Sequence, residues 1–126
     1  MPGFWQISNR GLSGSAATAT QAFAPAATVG GQQVRLRSLE ATLSGASAGT
    51  DQLVVRDGAS GVGTVIFTAD LSIPANGFAS MQLSNLDIRA TAGNNLTVEF
   101  VSGVASDREN VNAQGDFVII GTRQGG

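Results

Sequence analysis

The chain has 126 residues, seven arginines against nine acids for a net charge of −2, and no histidine, lysine, tyrosine or cysteine. Its length fits one domain able to fold alone. The missing residue types remove the imidazole base, the Schiff-base amine, the thiol nucleophile and the commonest zinc ligands, together with any disulfide framework. There is no broad basic field to hold nucleic acid by counterion release. Only 13% of residues are charged, against about 25% in an average domain, so Ser, Thr, Asn, Gln and Gly must make the surface, and such a surface suits assembly.

The opening "MPGFWQISNRGLSG" lacks the basic start and apolar core of a secretory signal, and no window of 18 apolar residues occurs. The expectation is a protein made and kept soluble inside the cell, with no membrane partner. Phe4, Trp5 and Ile7 crowd the N-terminal end, where large apolar groups tend to be tied down against something. From Gly11 to Val34 no residue is charged. Residues 1–30 therefore read as an N-terminal arm with a possible first strand at "QAFAPA", anchored by Phe23 and confined to an edge or bend by Pro25. Residues 31–126 read as the β domain.

Beyond Val34 the apolar period is two. Val34 and Leu36 alternate with Arg35 and Arg37, and the apolar phase then switches to Leu39, Ala41 and Leu43. A switch inside one run predicts a β-bulge or a strand that bends between sheets. Strands follow at "QLVVR", "TVIFTADL", "FASMQL", "LDIRA", "LTVEF" and "FVIIGT", about eight in all, divided by the turn signals "SGASAGTD", "DGASGVG", "PANG", "SN" and "AGNN" and by the polar "SDRENVNAQGD", read as a loop. No segment carries an uninterrupted helical period. The prediction is all-β: a single antiparallel β-sandwich of jelly-roll type with an extended N-terminal arm.

Several patterns invite a chemical reading. Gly58 and Gly63 have the spacing of a phosphate loop, but Thr64 stands where its lysine would be and a strand, not a helix, follows. The glycines instead suit the φ > 0 positions of a hairpin. Asp107, Glu109, Asn110 and Asn112 offer oxygen ligands for calcium without the EF-hand pattern, and a solvated loop is the ordinary account. Asp107, Glu109 and Asp116 are the candidates for a metal-assisted hydrolase. No serine can be paired with a histidine or lysine, so no catalytic, cofactor-binding or metal residue is assigned. Arg35 and Arg37 project from one face and could hold an anion, although charges that keep an edge from pairing are the simpler account. Ile66 lies opposite Phe67 in phase, an apolar residue left for a contact surface.

The stretch from Leu53 to Gly103 resembles small β-sandwich virion structural proteins of tailed bacteriophages. The resemblance rests on Arg56-Asp57-Gly58 at a strand end, the Gly-rich hairpin, the Pro74 turn, "LSNL" at Leu83 to Leu86 and "LTVEF" at Leu96 to Phe100. It implies a non-enzymatic capsid decoration (cement) protein, in the virion after assembly in the host cytoplasm. Such a protein binds the major capsid protein outside the head and forms a homo-oligomer, with a trimer favoured. Phe4, Trp5, Ile7, Phe23, Arg35, Arg37 and Ile66 are the expected partner or oligomer contacts. The alternative is a glycan- or host-surface-binding module of a tail or head fibre, with Trp5 as its platform.

Overall fold

The computed structural model describes residues 4–12, 17–21, 32–101 and 107–119. Among these residues nine strands follow one another: β1 (Trp5–Leu12), β2 (Thr18–Gln21), β3 (Gln32–Gly45), β4 (Gly49–Asp57), β5 (Thr64–Ile73), β6 (Gly77–Leu83), β7 (Ile88–Arg89), β8 (Leu96–Phe100) and β9 (Asp107–Ile119). They form two antiparallel sheets. One has the order β1-β9-β3-β6, with the short β7 also pairing β3, and the other has the order β2-β8-β4-β5. Most connections pass from one sheet to the other, which is the jelly-roll form of sandwich. Among the described residues no helix is long and apolar enough to cross a membrane.

The core follows from strict alternation. Leu36, Leu39 and Leu43 of β3, Leu53 and Val55 of β4, Leu96, Val98 and Phe100 of β8, and Val111 and Ala113 of β9 meet between the sheets, all fully buried. Burying a side chain of this kind contributes about 1.5–3 kcal/mol. The expected phase switch in β3 is a bulge: Leu36 faces Gly115, Ser38 faces Gln114, and Arg37 is the extra residue. Because of it, β3 keeps its apolar side toward the core along all 14 residues.

The expected hairpin joins β4 to β5, with Gly58 and Gly61 at positive φ. Asn76 and Asn85 take the left-handed conformation in the "PANG" and "SN" turns, which a short polar side chain tolerates.

Two expectations need correction. The region read as an arm with one possible strand contributes a strand to each sheet: β1 pairs β9 from Trp5↔Gly115 to Leu12↔Arg108, and β2 pairs β8, while residues 22–26 of the "QAFAPA" stretch lie outside the described residues. The missed signal in β1 is an alternation that lapses after Trp5 and Ile7: Asn9 is exposed and the next buried position, Gly11, has no side chain to register. From Asp107 onward the "SDRENVNAQGD" loop is instead the first part of β9, with Glu109, Val111, Ala113 and Gly115 buried in alternation with exposed or half-buried neighbours. A buried glutamate and two small residues hid the period.

Candidate functional site

The glycine loop of residues 58–63 does cradle an anion, and the anion belongs to the chain. β8 is buried on both faces, so the residues of its outer side, Thr97 and Glu99, need polar partners. The loop supplies them. Ser60 Oγ donates to Glu99 Oε1, and the Gly61 N–H donates to Oε2 at 3.0 Å. From β4, Arg56 Nε donates to Oε2 while its Nη1 donates to the Gly63 carbonyl at 3.1 Å, and Thr18 Oγ1 of β2 donates to Oε1 at 3.3 Å. Burial pushes the Glu99 carboxyl up, but Ser60, Gly61 and Arg56 together hold it below its ordinary value. Asp57 anchors the near end of the loop by accepting from the Thr91 N–H and hydroxyl and from Asn94 Nδ2. Desolvation opposes ionisation there too, and those donors again bring the carboxyl below normal. The arrangement is a self-satisfied clamp.

A second charged cluster lies on the outer face of the other sheet. Arg35 sits directly opposite Asp116 and donates to it twice, Nε to Oδ1 and Nη2 to Oδ2, both at 2.8 Å. Arg89 donates in the same forked way to Asp87, which lies 3.7 Å from Arg35. The hydrogen bond from Arg35 chiefly holds the Asp116 carboxyl below its ordinary value, and that from Arg89 does the same for Asp87. Trp5 supports the cluster from behind: its Nε1 donates to the Asp116 carbonyl at 3.0 Å, and its ring lies over Gly115. A Cβ on Gly115 would stand 1.9 Å from the Arg35 carbonyl and 2.4 Å from the Trp5 ring, so only glycine fits.

On the same sheet as the second cluster a polar row crosses four strands, β1, β9, β3 and β6. Gln6 Nε2 donates to Asn112 Oδ1 and Asn112 Nδ2 donates to Glu40 Oε1, both at 3.3 Å, while Gln82 Nε2 donates to Glu40 Oε2 at 2.6 Å. Open hollows of about 640 Å³ beside Arg10 and Asn110 and about 410 Å³ beside Ser38 and Gln82 both border Asn112.

The sequence candidates separate into distinct places. Phe4 is exposed (73%), whereas Trp5 (8%) belongs to the core and Ile7 packs against it. Trp5 therefore has no free ring face for a sugar. Phe23 lies outside the described residues. Arg35 is spent on Asp116, and Arg37 is exposed at the bulge. The edge-protecting role considered for the two arginines does not hold, because β3 is a central strand. Ile66 is exposed on β5, where a register shift makes it the extra residue opposite Val55 and Arg56. The β9 oxygen donors do not converge. Glu109 is buried and accepts from the Ala17 N–H at 3.0 Å, while Asn110 donates to Thr42 and Asn112 to Glu40 on the outer face. Asp116 stands seven residues beyond Glu109 on the same strand, about 23 Å away at the usual rise. Among the described residues no group of three acids gathers as a metal site.

Sequence reading missed Glu99, which alternation placed on an outer face without showing that a loop covers it. It also missed the Gln6–Asn112–Glu40–Gln82 row, whose members lie 106, 72 and 42 positions apart in successive pairs.

No protein-family model and no curated protein matches the chain. Solved structures do. A chain of the cowpea mosaic virus top component, a naturally occurring empty particle, superposes with a TM-score of 0.52 at 13% identity over 96% of this chain and 90% of that one. A chain of the cowpea mosaic virus empty virus-like particle gives 0.51 at 12% identity, covering 100% and 87%. At such identities the likeness is one of fold: this chain is a jelly roll of the kind those viral particles contain.

Proposed function

We propose that this chain is a virion structural protein, a capsid decoration or cement protein that binds the outside of a bacteriophage head and stabilises contacts between capsid subunits. The observation that carries the reading is the correspondence with a viral particle chain over 96% of this chain and 90% of that one. The resemblance of residues 53–103 to tailed-phage virion proteins supports the same assignment. Physically, the role asks for a rigid, weakly charged body. The charged groups of both clusters are largely satisfied within the chain, which leaves neutral surface for a protein neighbour.

The test is co-sedimentation of the purified chain with capsids of the phage that encodes it, followed by the temperature at which those capsids open. Saturable binding and a raised opening temperature are expected. Absence of binding at tens of micromolar chain would defeat the assignment.

A glycan-binding role has one favouring observation, the hydrogen-bonded amide row between two hollows, since side chains fixed by one another are preorganised for sugar hydroxyls. Calorimetry against an oligosaccharide panel, with Asn112→Ala as the variant, tests it. Heat of binding that this substitution abolishes would move the assignment from capsid to glycan.

A further inference from the structure

Among the described residues, one side of the sandwich is left open. β5 and β6 are the terminal strands of the two sheets and lie side by side in the two layers. Their 17 residues contain a single charge, Asp70. An edge strand normally carries lysine, proline or inward charges to discourage pairing with another chain, and the bulge at Ile66 is the one such device here. At the seam the core is incompletely covered, since Phe67, Ala79, Met81 and Leu83 are only partly buried against it. Val65, Ile66 and Phe78 (65%) add exposed apolar surface beside them. The opposite side differs: β2 is four residues long and β1 shows water Gln6, Ser8, Asn9 and Arg10.

We infer that the β5/β6 side is a self-association surface whose occupant is a second copy of this chain, docked about a two-fold axis with β5 antiparallel to β5. Three observations favour a copy of itself. A strand edge is self-complementary when antiparallel, so one surface serves both partners. The area suffices: ten residues at about 3.3 Å rise, across two layers about 10 Å apart with their side chains, make a footprint of about 600 Å², near the roughly 800 Å² per partner of a standard interface. The lone charge also permits it. An axis through Thr68 sets each Asp70 opposite Ile66, about 13 Å from its mate and beyond a Debye length of about 8 Å. An isologous contact closes at two copies.

The inference goes beyond the capsid assignment and fails separately from it. The full chain is measured by size-exclusion chromatography with light scattering, alongside the Ile66→Lys/Phe78→Lys double variant, whose changes fall on exposed side chains. The wild type is expected near twice 12.7 kDa. The variant is expected at the monomer mass with an unchanged circular dichroism spectrum and dimerisation at least tenfold weaker.

The chain lacks cysteine, so Thr68→Cys supplies a unique thiol. Across a two-fold pair its Cα–Cα distance of about 5 Å allows a disulfide, and diamide oxidation should cross-link it at least tenfold faster than Ser8→Cys on β1. A monomeric wild type, a trimer, or equal cross-linking at both positions would overturn the inference. A monomer that still co-sediments with capsids would do so while leaving the capsid assignment standing. If β5 amides became protected from exchange only when capsids were added, the occupant would be the capsid protein instead.

Discussion

The two arginine–carboxylate pairs use the same chemistry in different settings. Arg56 and Glu99 lie under the glycine loop with 16% and 6% of their side chains exposed, and Arg35 and Asp116 lie on an open sheet face at 21% and 22%. The covered pair is bound to its lid, because the carboxylate that Arg56 neutralises also receives Ser60 and Gly61. The open pair joins only strands that already pair. A buried charge without its partner costs several kcal/mol, whereas an exposed pair contributes about 0–1 kcal/mol. The first therefore shapes the fold locally, and the second mainly complements its register.

The largest effect is expected where the open pair meets the core. Gly115→Ala puts a methyl group into the Arg35 carbonyl and the Trp5 ring, and overpacking against backbone that cannot yield should cost about 3 kcal/mol. Urea denaturation would show a lowered midpoint, and hydrogen exchange should locate the loss in β1. A variant as stable as the parent would mean that β1 is not docked through Trp5.

Glu99→Gln comes next. It leaves Arg56 in a partly buried site without its counter-charge, for a loss of about 2–3 kcal/mol. Limited proteolysis should then cut at residues 58–63, where the parent is protected. Equal resistance in the two proteins would break the link between carboxylate and lid.

Acid should separate the pairs further. Glu99, Asp57 and Asp116 all have folded-state values held below normal, so as the pH falls the unfolded chain takes up protons first. Their stabilisation is present above the unfolded values of about 4 and is lost as the pH drops through the lower folded ones. The melting temperature should be nearly level from about pH 7 to 5 and decline below about 4, with a shallower decline in Glu99→Gln. An identical slope in that variant would shift the acid sensitivity to other groups.

Asp116→Asn should cost about 1 kcal/mol or less, reduced by salt. Arg89→Ala, which affects only the exposed pair with Asp87, should lie within about 0.5 kcal/mol of the parent by the same denaturation assay.

The sequence displayed what depends on near neighbours. The β4–β5 hairpin was legible because Asp57-Gly58 and Gly61-Val62-Gly63 separate two alternating runs, and the β3 bulge was legible because the apolar phase changes between Leu36 and Leu39. The candidate site was hardly legible. Trp5 read as a loose anchor because nothing near it reveals Gly115, its partner 110 positions on. Glu109 read as a loop residue because its donor, the Ala17 N–H, is 92 positions away.

By itself, then, the sequence determined an all-β chain of short antiparallel strands, through period-two alternation and glycine and asparagine turns whose φ preferences act over a few residues. Only the tertiary structure decided that β1 and β2 of the N-terminal segment join the two sheets, that the glycine loop holds the chain's own carboxylate, and that β5 and β6 form an open side among the described residues. Each of those depends on which distant strands become neighbours, a choice made by burying one shared core.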